Sequence, residues 1–88
     1  MSEERVEDRL KAMIVERLML SAQPGEIGDE DDLIKKWNVE SVQLMEIVIG
    51  LEELFGIQLG DDEFSIKKFR TVKSIAAVVR EKKPELQS

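Results

Sequence analysis

Apolar side chains recur along this chain with the spacing of helical faces, and that spacing divides it into four segments. Val6, Leu10, Met13, Ile14 and Leu18 form one stripe of a helix predicted over about residues 3–20. Glu3, Glu4, Glu7 and Asp8 occupy its first turns, where the helix dipole favours anions. Ser21-Ala22-Gln23-Pro24-Gly25 breaks the pattern. Leu44, Ile47, Val48, Leu51 and Phe55 make a second stripe, predicting a helix over about 41–56 that Gly56 stops. A short helix over 61–69 holds Phe64 and Phe69. Thr71 then caps a last helix over 72–83, with Val72, Ile75, Val78 and Val79 as its buried stripe and Pro84 at its end. Gln87-Ser88 is expected to fray. Ile47-Val48-Ile49 is β-branched but sits within helical periodicity, so no strand is predicted. The reading is all-α: a single domain, 1–88, of three main helices plus one short helix, with a long first loop.

That loop runs to Glu40 and carries the acid run Asp29-Glu30-Asp31-Asp32. Loops of this length are uncommon in compact domains unless functional or tied down. Leu33, Ile34 and Trp37 are the expected ties, Trp37 as a core plug. The acids do not make a calcium loop, because Leu33 and Ile34 fall where an oxygen ligand and Gly are needed. They read as solvated, and no metal site is predicted.

The face of the second helix turned away from its core stripe is the informative one. Val42, Met45, Glu46, Ile49 and Glu53 cluster there at 100° per residue. An ordinary exposed face is nearly all charged, whereas this one sets three apolar side chains among acids, which suggests protein docking. The alternative is that another part of the fold covers Met45 and Ile49.

Composition narrows the chemistry. The net charge is −6, which argues against nucleic acid. Residues 41–60 carry three acids and no base, whereas 71–88 carry four bases and two acids. There is no Cys and no His, hence no disulfide, no thiolate zinc site and no histidine base. No phosphate-cradling glycine loop is present either, and enzymatic activity is not expected. No segment approaches the roughly 20 apolar residues of a membrane span. The charged start, Met1-Ser2-Glu3-Glu4-Arg5, is the kind expected of a cytoplasmic chain. A monomer is expected.

Ser41 stands where the acid-rich loop meets the second helix. Taken alone it reads as an N-cap. A helix start is also a natural seat for a phosphate ester, because its N–H groups are unpaired and its dipole end is positive.

Three stretches resemble the acyl carrier protein family, the phosphopantetheine carrier domains. Leu33-Ile34-Lys35-Lys36-Trp37-Asn38-Val39-Glu40-Ser41-Val42 is similar to the attachment motif, in which Gly, a spacer and Asp-Ser-Leu follow an apolar residue. Glu46-Ile47-Val48-Ile49-Gly50-Leu51-Glu52-Glu53-Leu54-Phe55-Gly56-Ile57 resembles the recognition helix, and Phe69-Arg70-Thr71-Val72 the opening of the last helix. The resemblance implies a carrier that is not an enzyme. It implies 4'-phosphopantetheine, moved from coenzyme A onto Ser41 by a phosphopantetheinyl transferase, whose thiol then holds acyl groups as thioesters. It implies acyl-loading and acyl-processing partners with basic docking patches, meeting Glu40, Val42, Met45, Glu46, Ile49 and Glu53. Glu40, Val42, Asn38, Gln43 and Trp37 depart from the usual Asp, Leu, Gly, acid and Leu. These departures fit a carrier dedicated to one specialised lipid, polyketide or amino-acyl pathway. The rival reading is a carrier fold without its arm, serving as an interaction module or scaffold subunit.

Overall fold

The computed structural model describes residues 5–86, and within them the chain is all-helical with no strand. The expected helix start near residue 3, with Glu3 and Glu4 in its first turn, and the Gln87-Ser88 end lie outside the described residues. Helix α1 spans Val6–Leu18, α2 Gln43–Phe55 and α3 Val72–Lys82. Helices α1 and α2 run antiparallel: the Arg9 guanidinium lies 4.7 Å from the centre of the Phe55 ring, and Arg17 meets Glu46 at the other end. The C-terminal end of α3 packs at the start of α1, where Arg80 pairs with Glu7.

The periodic stripes are the core. Leu10 and Ile14 of α1, Leu44, Ile47, Val48, Leu51 and Phe55 of α2, and Val72, Ile75, Ala76, Val78 and Val79 of α3 are all buried. Each helix end has an identifiable cause. Gly56, at φ 68°, adopts the left-handed conformation that closes α2, and its N–H and that of Ile57 both donate to the Glu52 carbonyl. Met19 adopts the same conformation after α1, at φ 54°. Thr71 caps α3 as expected: its hydroxyl accepts the Ser74 N–H at 3.0 Å, and Ser74 Oγ accepts the Thr71 N–H at 3.3 Å.

The short helix expected over 61–69 is instead a 3₁₀ turn, Asp61–Glu63, and a separate turn at 66–69. Phe64 between them is extended, with φ −80° and ψ 132°. In a continuous helix Phe64 and Phe69 would project about 140° apart. The extended residue lets the two rings meet, centroids 5.2 Å apart, with Phe69 fully buried.

The long loop is bound along its length, and the acid run is the means. Asp29 lies 2.7 Å from Lys11 and 3.4 Å from Arg5. Asp31 accepts the Gly28 N–H at 2.8 Å and the Trp37 indole N–H at 3.2 Å. Those bonds, the backbone one first, hold the Asp31 carboxyl below its usual range. Asp32 accepts from the Ile34 and Lys35 N–H groups, both at 2.9 Å, and from Arg70 Nε at 2.7 Å. Its carboxyl is lowered too, chiefly by the Lys35 N–H. Backbone bonds from Leu33 N–H to the Arg70 carbonyl and from Lys73 N–H to the Asp29 carbonyl join the loop to the start of α3. The solvated acidic loop expected from sequence is therefore a set of specific ties. Leu33 is buried, and Ile34 and Trp37 pack against the core as anticipated. Ile27 and Val39 are further buried anchors that the pattern did not reveal.

Candidate functional site

Two buried residues frame the exposed segment that carries Ser41. Val39 is buried on one side and Leu44 on the other, while Glu40, Ser41 and Val42 between them are exposed. Asn38 makes this possible. It adopts φ 58°, the left-handed conformation that Asn tolerates, and turns the chain so that Val39 points inward and its N–H returns to the Leu33 carbonyl at 3.0 Å.

Ser41 is not the cap of α2, which begins two residues later at Gln43 with Val42 as its flanking residue. The first turn tightens to 3₁₀ spacing: the N–H groups of Gln43, Leu44 and Met45 donate to the carbonyls of Glu40, Ser41 and Val42 at 2.8, 3.1 and 3.2 Å. Three donors that a cap would serve are thus already used. The Glu40 N–H is taken by Gln43 Oε1 at 2.8 Å. What remains is a serine hydroxyl with no partner among the described residues, beside the equally unpartnered N–H groups of Ser41 and Val42. An exposed hydroxyl next to free amide donors at a positive dipole end can accept a phosphate ester without losing an existing bond.

The flank of α2 below it is open. Val42, Met45 and Ile49 are 69, 46 and 40% exposed, so nothing among the described residues covers them. Glu46 and Glu53 share this flank with side chains 54 and 68% exposed. The sequence pattern missed one participant. Arg17 of α1 reaches both acids, Nε to Glu46 Oε1 at 3.3 Å and Nη1 to Glu53 Oε1 at 3.4 Å. Its place near the end of α1 gave no signal, because the pairing depends on how two helices pack.

Among the described residues no cluster of acids is arranged to hold a metal ion, and no helix is long and apolar enough to cross a membrane.

Comparison with known proteins adds a family. The model of the phosphopantetheine attachment site matches residues 8–79. An acyl carrier protein of Helicobacter hepaticus is 34% identical over 76 residues, covering 86% of this chain and 95% of that protein. One from Chlamydia trachomatis is 30% identical over 77 residues, 88% of this chain and 95% of the relative. Another, from Zymomonas mobilis, is 29% identical over 76 residues, covering 86 and 92% of the two chains.

Proposed function

The chain belongs to the acyl carrier protein family, and on that premise we propose that Ser41 Oγ is the oxygen that carries its 4'-phosphopantetheine. The protein is a carrier and not an enzyme, and a covalent 4'-phosphopantetheine is its prosthetic group. When bound, that arm supplies the thiol to which acyl groups are attached as thioesters, chemistry for which this cysteine-free chain has no side chain of its own. The observation that carries the assignment is the state of Ser41: exposed, unpartnered, and held between two buried anchors. Val39 and Leu44 anchor the backbone on either side of it. The free N–H groups of Ser41 and Val42 are suited to face phosphodiester oxygens. The exposed Glu40 keeps a carboxylate beside the attachment point without pairing to any described residue.

Families of this kind receive their arm from a transferase and then carry cargo to acyl-processing enzymes in turn. In our reading Glu40, Val42, Met45, Glu46, Ile49 and Glu53 form the surface those partners dock on. Three exposed apolar side chains among acids suit a partner with a basic rim and an apolar seat. Docking of this sort is brief, and the tether rather than affinity keeps the cargo near each active site. The departures at Asn38, Glu40, Val42 and Gln43 support service to one specialised lipid, polyketide or amino-acyl pathway.

Co-expression with a broad-specificity phosphopantetheinyl transferase followed by intact mass tests the assignment. One added prosthetic group is expected, absent in Ser41→Ala. An unchanged wild-type mass with several transferases would instead favour an arm-free interaction module.

A further inference from the structure

Glu46 and Glu53, two of the three acids of the proposed docking surface, are already engaged from within. Gly50 lies between them on α2, and a Cβ there would meet Met13 Sδ at 2.5 Å and Arg17 Cδ at 3.0 Å. The glycine is thus a notch through which the Arg17 stem crosses α2. Its guanidinium then spans Glu46 and Glu53, which lie about 10 Å apart along the helix. Both bonds are long, at 3.3 and 3.4 Å, and both carboxylates remain more than half exposed. Exposed pairs of this kind are weak, so displacing Arg17 requires little free energy.

Resting on the reading of this flank as the docking surface, we infer that Arg17 is an internal competitor for partner cations. It holds the positions on Glu46 and Glu53 that a partner's Arg or Lys would take, and it leaves the cluster one net negative charge instead of two. Partners that dock through cations alone are disfavoured. Those that add an apolar seat for Val42, Met45 and Ile49 are selected. Arg17 is in this sense a specificity residue of the docking surface, although it belongs to a different helix.

The test uses the full chain with Arg17→Met and Arg17→Gln, which keep a stem over Gly50 and remove the charge. Loading by a broad-specificity phosphopantetheinyl transferase is followed by intact mass across a range of salt. Both variants should load about two- to fivefold faster in kcat/KM at low salt. Their rates should also fall more steeply as salt rises. Adding Glu46→Gln should slow the Arg17→Met protein more than the wild type. Equal or slower loading in both Arg17 variants overturns the inference. Affinity for the same transferase, titrated with each protein also carrying Ser41→Ala, separates this from failure of the attachment reading. Tighter binding on loss of Arg17, together with a wild-type protein that is never modified, sinks the Ser41 assignment alone. Normal modification with unaltered affinity sinks the role of Arg17 alone.

Discussion

Arg80 reaches across 73 residues of sequence to place both terminal nitrogens on the Glu7 carboxylate, Nη1 2.8 Å from Oε2 and Nη2 2.9 Å from Oε1. The pair joins the end of α3 to the start of α1, and Glu7 is buried. The Arg80 hydrogen bonds are the largest cause of a Glu7 carboxyl lowered to about 2. A lowered carboxylate stabilises the fold above its unfolded value, near 4.5. That contribution disappears as pH falls through about 2. It amounts to about 3 kcal/mol. Glu7→Gln should therefore unfold more easily than the wild type at pH 7, by roughly that amount. The gap should close as pH is lowered to about 2. Urea unfolding of both proteins at several pH values measures it, and a gap independent of pH would refute the electrostatic origin.

Met19 ends α1 in the left-handed conformation with 85% of its surface exposed. A side chain there is strained by about 1–2 kcal/mol relative to glycine. Met19→Gly removes the strain and loses no burial, while giving up some entropy in the unfolded state. The net expectation is a stabilisation of about 0.5–1 kcal/mol, seen as a rise of a few degrees in Tm. A lower Tm would show that the exposed thioether makes a contact the fold needs.

How much of this was legible in the sequence varied with the range of the interaction. The stripe Leu44, Ile47, Val48, Leu51, Phe55 and the opposing exposed set Val42, Met45, Ile49 follow from 3.6-residue periodicity alone, and burial divides them as expected. Thr71 was readable because a cap is a local bond. Taken alone, Ser41 reads as a cap because the same residue type serves two purposes. Only the 3₁₀ tightening of residues 40–45 shows that its hydroxyl is spare. Ile27 and Val39 lie in irregular chain with no period to reveal them. The pairing of Asp29 with Lys11, Asp32 with Arg70, and Arg17 with Glu46 and Glu53 depends on how elements dock, which a charge pattern does not encode.

Thr71→Ala removes the side-chain oxygen that accepts the Ser74 N–H. A lost cap of this kind costs about 1 kcal/mol. Thr71→Ser keeps the oxygen and should recover most of it. Chemical unfolding of the three proteins is the measurement, and equal stability of the Ala and Ser variants would remove the cap from the account.

The single tryptophan gives a direct view of the loop. Trp37 donates its indole N–H to Asp31, which also accepts the Gly28 N–H and faces Lys36. Asp31→Ala frees all three groups at once. Trp37 emission should move to longer wavelength, and the Gly28 amide should exchange faster, while the helical circular dichroism signal stays as it was. Asp31→Asn retains an acceptor and should fall between the two. Unchanged emission in the alanine variant would mean that packing alone positions the ring.

Charge on the α2 flank can be separated from the stability it brings. Glu46→Lys with Glu53→Lys places two new cations beside Arg17, so slower loading in that variant could reflect lost docking charge or a displaced Arg17. Adding Arg17→Glu restores opposite-sign neighbours at the same three positions while leaving the surface reversed. The pairs are exposed, so Tm in both variants should stay within a few degrees of the wild type. If partners read the sign of this surface, the double variant should load about tenfold below wild type, since each juxtaposed like charge opposes encounter, and the triple, whose cluster is still net positive, should regain no more than a few-fold of that. If the double variant instead fails because Arg17 has moved, the triple should regain most of the rate. Recovery of the triple to the wild-type rate, on a surface still net positive, would take Glu46 and Glu53 out of the docking surface and leave them as anchors for α1.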